Sequence, residues 1–560
     1  MDSPQGFADT WQDTRFVSGR LLLMTQTCRR PPMPLWLCAT FLIISLIAPQ
    51  VSLASEAQTT AFRQAVAEAA AEDEALAAFY RDNDYQAIWT DADDSARRGA
   101  LLTALSHADD HALPVNRYDP DQLVGALRSA WSERDRGRIE VRMSRAFLDY
   151  ARDVQTGALM PAKVDAGILR EVPVRDRREQ IAAFSKADPV AYLQALPPRT
   201  PEYALLMRER LLLQKRIADG GWGPTVSSKS LQPGDFGQAV VQLRDRLVAM
   251  GMMGQTASQD YDGPLIRAVQ QFQYLHGLAT DGVAGADTVQ EINVSPEQRL
   301  KSVVVAMERE RWMNIDRGDR YIWVNLPDFS TRIVDHGKIT FQTRSVIGKN
   351  DPDRRTPEFS DQMEYMVVNP SWNVPRSITT KEYLPLLKSN PNAAGHLKIV
   401  DRNGRVVPRS QINFAAYTAR NFPYSMRQPP SDGNALGKVK FMFPNVNNIY
   451  LHDTPQKELF TQPVRAYSHG CIRLNDPFDF AYALLAVQSD DPQGLFSQHL
   501  KTDVETVIKL DVPVPVHLVY FTAYPTAKGQ MTYRRDVYGR DARIFEALTE
   551  AGVALEPVQG

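Results

Sequence analysis

Two side chains in the last third of the chain have the types and spacing for covalent chemistry. Cys471 closes the run Ser468-His469-Gly470-Cys471, and His452 stands 19 positions earlier, at the end of Ile449-Tyr450-Leu451-His452. A thiol with an ordinary value of about 8.5 is mostly protonated at neutral pH, and a neighbouring imidazole can take its proton to give a nucleophilic thiolate. Gly470 permits a tight backbone turn beside the cysteine. The amides of Gly470 and Cys471 can then face the oxygen of a tetrahedral intermediate. The chemistry indicated is acyl transfer through a thioester. Strand alternation would set Tyr450 beside His452 on one face, with Ile449 and Leu451 on the other.

Two other readings of the same residues compete. Cys471 can be a buried structural cysteine with His452 a satisfied strand-end histidine. Alternatively, His452, His469 and Cys471 can be ligands of a zinc ion with an open position. The glycine beside the cysteine and the flanking Ser468 and His469 favour the nucleophile. The sequence holds three cysteines, and the other two, Cys28 and Cys38, lie in a stretch that reads as an export leader. A single remaining thiol cannot form an internal disulfide, and in an oxidising compartment it is a liability unless buried or used. Elsewhere, His107 and His111 are four apart, but no further ligand accompanies them, so a solvated helix end is the expectation.

The surrounding elements must hold the loop. Behind it, Asp476, Pro477 and Asp479 read as the N-cap, first position and first turn of a helix. From about residue 300 the pattern turns to alternating β, as in the Tyr321–Pro327 run and on both sides of Asp335-His336-Gly337-Lys338. Residues 376–437 are polar, irregular and Pro-rich, which suggests a cap inserted into a β domain of 301–530. A C-terminal segment, 531–560, follows. Residues 56–225 are Ala- and Glu-rich with helical spacing. Residues 231–293 form a small three-helix unit with Gly turns, Val240, Leu243 and Leu247 on one helix and Ile266, Val269 and Phe272 on another. The fold class expected is multidomain α+β.

Length bounds the rest. At 560 residues, several domains are expected. Hydrophobic content of 43% and charged content of 23% are ordinary for a globular protein. Lys+Arg 64 against Asp+Glu 66 gives no reason to expect nucleic acid or an acidic membrane surface as partner. Arg29 and Arg30 precede an apolar run over 35–48, Pro49 ends it, and Ser52-Leu53-Ala54 offers small residues for cleavage. Residues 1–54 therefore read as a secretory signal with a superfluous extension, since Met24 or Met33 makes a more usual start. The run is shorter than the roughly 18 apolar residues of a membrane span, so membrane association is expected only if the signal stays uncleaved.

At these motifs the chain resembles the L,D-transpeptidase family of bacterial cell-wall enzymes. Tyr450-Leu451-His452-Asp453-Thr454-Pro455 and Tyr467-Ser468-His469-Gly470-Cys471-Ile472-Arg473-Leu474 carry the likeness. It extends to a large subclass with a helical scaffold, a peptidoglycan-binding module and a capped catalytic domain. Pro233-Gly234-Asp235 and the Ala268–Gln273 run carry the module's part of it. The resemblance implies Cys471 as nucleophile and His452 as its base, with His469 and Ser468 shaping the loop. It implies Gly470 in the oxyanion hole and Arg473 and Tyr450 at the substrate, Arg473 alternatively in an ion pair with an Asp. It further implies a periplasmic enzyme that forms 3–3 cross-links in peptidoglycan with release of D-Ala, and neither cofactor nor metal. A carboxypeptidase, in which water resolves the thioester, and a non-catalytic peptidoglycan-binding scaffold are the alternatives.

Overall fold

The structure, a computed structural model, describes residues 49–555, with side chains from Thr60 onward. The chain divides at Ala57 into two units, and of the first only the opening of the helix Pro49–Ala70 is described. The leader expected at 1–54 thus lies almost wholly outside the described residues. None of the helices among them is long and apolar enough to cross a membrane. All that follows concerns the second unit.

Helices occupy the chain up to Trp312. The longest of them, Glu133–Thr156, starts at a reciprocal cap in which Ser132 and Asp135 exchange bonds, and it buries Val141, Phe147, Leu148 and Val154. Residues beyond 300 do not turn to β at once, as the alternation suggested. Ser295 and Gln298 form a second capping box, Pro296 sits at the first position, and the helix Pro296–Trp312 follows. Its Val303, Val304 and Met307 pack into the helical core, so it completes the scaffold instead of opening the sheet. The three helices Gln238–Ala249, Gly263–Leu275 and Ala286–Ile292 have a core of their own, centred on Leu243, Val269 and Phe272.

Fourteen strands are described: β1 (Arg320–Asn325), β2 (Ser330–Asp335), β3 (Lys338–Gly348), β4 (Phe359–Val368), β5 (Trp372–Asn373), β6 (Lys398–Val400), β7 (Ser425–Gln428), β8 (Val439–Met442), β9 (Leu451–His452), β10 (Ala466–Ser468), β11 (Ile472–Leu474), β12 (Thr506–Val519), β13 (Ala523–Pro525) and β14 (Met531–Tyr533). Nine form one sheet in the order β10-β3-β11-β9-β8-β4-β12-β1-β2, and β2 also pairs with β3. The sheet therefore closes on itself, which leaves few free edges. Its interior holds Ile322, Val368, Phe441, Leu451, Ile472 and Leu518, each fully buried.

The insert is a folded body of its own. β5, β7 and β6 make a three-stranded sheet over Leu384, Leu387, Ile399, Phe414 and Met426. Because β5 belongs to this sheet, the insert begins upstream of residue 376. Arg409 donates to the carbonyls of Pro391, Ala393, Ala394 and Leu397. The boundary expected at 530 also moves, since β13 and β14 pair across it as a hairpin. The helix Arg540–Glu550 then packs its Ile544 and Leu548 into the scaffold core.

Candidate active site

The Ser-His-Gly-Cys loop is an arch over the end of β3. The last part of β3 lies between β10, which pairs Ser468 with Gly348, and β11, which pairs Arg473 with Val346. The chain leaves β10 and crosses to β11 in three residues. Gly348 makes the crossing possible, because a Cβ there would fall 2.0 Å from the Arg354 carbonyl and 2.7 Å from the Thr356 amide. Gly470 turns the arch at φ +115°, a conformation L side chains rarely adopt. Thr356 fastens it, donating from Oγ1 to the Gly470 carbonyl at 2.7 Å and accepting from the Gly348 amide at 2.9 Å.

β11 runs parallel to β9, pairing Ile472 with Leu451 and Arg473 with His452. Ile449, Leu451 and Ile472 point into the core, and the opposite face presents Tyr450, His452, Cys471 and Arg473. Tyr450 is therefore the neighbour across from Cys471, and His452 sits diagonally from it, opposite Arg473. Lys440 of β8 stands on the other side of His452. All five line one cavity of about 810 Å³.

Each group carries a consequence of this placement. The Cys471 thiol, partly exposed at the cavity floor, donates to the Asn448 carbonyl at 3.5 Å. Burial pushes it up to about 11, against hydrogen bonds from Tyr450 and the charge of Arg473. His452 is buried, and its Nδ1 bonds the Asp453 carbonyl at 2.5 Å, which requires the proton on Nδ1 and leaves Nε2 as the acceptor. Burial, then Arg473, Lys440 and Lys457, hold it down to about 3, so the ring is neutral. Tyr450 stacks edge-on against it, ring centroids 5.7 Å apart. Arg473 donates to Gln456 Oε1 at 2.7 Å, and its guanidinium is free of any carboxylate among the described residues.

Three sequence expectations change here. The Gly470 amide is not free to meet an oxyanion, because it donates to Ser468 Oγ at 3.1 Å while Ser468 donates to the Cys471 carbonyl at 2.5 Å. That leaves the Cys471 amide as the loop's donor. Asp476 stands at the helix start, but its carboxylate takes the Thr343 hydroxyl at 2.8 Å and bonds none of the helix amides. Of the two histidines expected at a solvated helix end, His107 is the exposed C-cap of the helix Ser95–Ser106, whereas His111 is half-buried. His107 bonds the Thr103 carbonyl and His111 the Tyr203 hydroxyl.

His469 faces away from the thiol and toward the insert. Its Nε2 lies 2.8 Å from Glu382 Oε1, which also takes Arg354 at 2.9 Å, and Lys381 reaches Asp353 at 2.6 Å. Glu382 and Lys381 sit on a five-residue π-turn, 379–383, from which Glu382 reaches the arch and Lys381 the loop after β3. Trp372 and Tyr383 supply the insert's aromatic wall. Asn448, Trp372, Lys440 and Glu382 escaped the sequence reading. Only the left-handed Asn448, held by Asn445 in a turn rich in Asn, had a local signal. Among the described residues no group of three or more His, Cys, Asp or Glu side chains is placed to hold a metal.

Residues 319–505 match the family model described as "L,D-transpeptidase catalytic domain". Over that stretch the chain is similar to the catalytic domain of the L,D-transpeptidase family. Two further models match, "Scaffold domain" over 74–209 and "Putative peptidoglycan binding domain" over 236–292. A curated relative from Haemophilus influenzae, named "Putative L,D-transpeptidase", is 30% identical over 284 residues, which is 49% of this chain and 56% of that protein. The match thus spans little more than half the relative's length. A solved L,D-transpeptidase from Xylanimonas cellulosilytica, residues 123–326, aligns over 53% of this chain and all of its own at 12% identity, with a TM-score of 0.17, too low to bear on the fold. The matched stretch contains both arms of the arch, the β9 histidine and the whole insert.

Proposed function

We propose that the chain is an exported L,D-transpeptidase that forms 3–3 cross-links in peptidoglycan. The observation that carries the proposal is the four-residue face at the cavity floor, where a thiol, a hydroxyl, a neutral imidazole and an unpaired guanidinium converge. In the donor, a tetrapeptide stem, the carbonyl between the L-centre of diaminopimelate and the terminal D-Ala meets Cys471. The thiol proton passes to Nε2 of His452, the sulfur bonds the carbonyl carbon, and the Cys471 amide donates to the oxygen that gains charge. The same proton goes to the departing D-Ala amine as the C–N bond breaks. The amine of a second stem then attacks the thioester, gives its proton to His452 and releases the thiol. Tyr450 donates to the sulfur while it is charged. Arg473, whose fork matches a carboxylate, holds the donor.

The insert acts as a lid over this cycle. Its grip is a hydrogen bond between Glu382 and His469 of the arch, with ion pairs from Glu382 to Arg354 and from Lys381 to Asp353 on the loop after β3. Solvent screening keeps such contacts weak, so they bias closure without preventing opening. Closed, the lid keeps water from the thioester until an amine arrives.

The test is turnover of disaccharide-tetrapeptide, read by mass spectrometry as cross-linked dimer and free D-Ala. Dimer formation abolished in Cys471→Ala supports the reading, and dimer persisting in that variant overturns it. Tripeptide without dimer would make the enzyme a carboxypeptidase. A carbapenem should leave one adduct on the intact protein and none on Cys471→Ala.

A further inference from the structure

A second cavity, of about 250 Å³, lies where the three-helix module meets the catalytic sheet, and it shares no lining residue with the nucleophile's cavity. Its walls include Tyr274 of the module, Gln342 and Arg344 of β3, Arg465 at the entrance to β10, and Arg534 just after β14. The seam is fixed. Arg534 crosses it to donate to the Leu275 carbonyl at 2.8 Å while pairing with Asp328 at 2.6 Å. Gly277 leaves room for that crossing, because a Cβ there would meet Arg534 Nε at 2.8 Å. Arg535 pairs with Asp287 at 3.0 Å on the same border.

The charge in this groove does not balance. Asp328 is already shared between Arg534 and Arg332, and Asp287 is taken by Arg535. Among the described residues no carboxylate pairs with Arg344 or Arg465. Arg465 is held by the carbonyls of Ser345, Gln462 and Phe329 and lies 5.1 Å over the Phe329 ring, and Arg344 is held by the Phe460 carbonyl. Burial lowers Arg465 to about 10, Asp328 opposes the change, and Arg344 and Arg534 add to it, so the guanidinium groups crowd one another. Tyr274 stands 62% exposed on the facing wall and makes no ring–ring or cation–π contact among the described residues.

We propose that this groove binds a glycan strand bearing carboxylates, with a carboxylate on Arg344 and Arg465 and a sugar face on Tyr274. Two guanidinium forks at one place recognise a carboxylate better than a diffuse positive surface would. The site also has a fixed relation to the chemistry. β3 runs from Arg344 to Gly348 beneath the arch, a span of about 13 Å at strand rise. β10 leads from Arg465 to Ser468 beside it. A strand held in the groove is therefore held at a set distance from Cys471. This inference rests on the peptidoglycan reading above.

The experiment uses the full chain and purified sacculi. Retention is measured by co-sedimentation for the wild type, Arg344→Glu, Tyr274→Ala and a charge-matched control, Arg402→Glu, on the exposed insert surface. Thermal melts establish that each variant is folded. Arg344→Glu and Tyr274→Ala should each weaken retention about five-fold, the scale of one exposed contact, while the control holds. On sacculi whose carboxylates have been amidated, the wild type should fall to the level of Arg344→Glu. Equal retention of all four proteins overturns the groove. So does parallel, Arg344-dependent binding to phosphatidylglycerol vesicles with no loss on sacculi, which assigns the site to a lipid headgroup. Failure of the underlying reading shows separately, as absence of dimer from disaccharide-tetrapeptide whatever the retention.

Discussion

At the thiol, burial and neighbouring charge pull in opposite directions, and burial is the larger. With the free group raised to about 11, the thiolate fraction keeps growing with pH well beyond the ordinary range. Alkylation by iodoacetamide should therefore climb through pH 9 and toward 11, and a plateau near 8.5 would count against the buried pocket. Arg473→Met removes the cation that favours the thiolate, so its curve should move to still higher pH. A second residue-scale prediction concerns His517, buried beside Ser360 and held down to about 3 by burial and then by Arg170 and Arg317. The unfolded chain binds this proton below about 6.5 and the folded chain does not, so its contribution is intact at pH 7 and lost as pH falls. By pH 5 the loss is about 2 kcal/mol, and His517→Gln should lose correspondingly less between those pH values in urea melts. Cys471, His452 and Gly470 stood out in sequence by residue type and close order, and the structure sets the Cys471 and His452 side chains on one cavity. The Ser468 hydroxyl competing for the Gly470 amide was not, since only the turn's folded geometry brings the two together.

Among the elements, the arch and the insert differ in how they resist change. The arch crosses a strand end with no room to spare. Gly348→Ala would drive a methyl into backbone, and a loss of several kcal/mol is expected, read as a lowered urea midpoint with unchanged slope. The insert has a small core and relies on Arg409 to gather four carbonyls. Arg409→Met should expose the insert to limited proteolysis while the catalytic sheet keeps its melting transition, and loss of both together would refute its independence. Glu382→Gln loosens the grip on His469 and should raise tripeptide relative to dimer. In sequence this region looked irregular because its strands are two to four residues long and its turns outnumber them. The helix Pro296–Trp312 was missed for a different reason. It is buried almost all round, so its apolar positions trace no single stripe, while the capping box at Ser295 was there to be read.

Across the whole molecule, scaffold and catalytic sheet meet at a buried ionic junction. Glu358 takes both Arg309 of the scaffold helix and Arg540 of the last helix, and Arg309 also reaches Asp541 at 3.2 Å. Removing one charge strands the others, so Glu358→Gln should cost about 3–5 kcal/mol in a urea melt. No local pattern announces such a junction, because its members lie far apart in the chain and each looks like an ordinary surface charge until the fold closes. The same is true of the C-terminal end. Tyr538 donates to the Gly348 carbonyl at 2.5 Å, and Arg540 to that of Thr356 at 3.0 Å, so the support under the arch comes from residues nearly seventy positions after the cysteine. This sets an order on manufacture. A chain still being synthesised presents the complete Ser-His-Gly-Cys motif long before anything holds it in shape, and a product cut short before Tyr538 carries the motif without its brace. On the proposed mechanism, a chain ending before Tyr538 should therefore give no carbapenem adduct by mass spectrometry although it carries the whole motif.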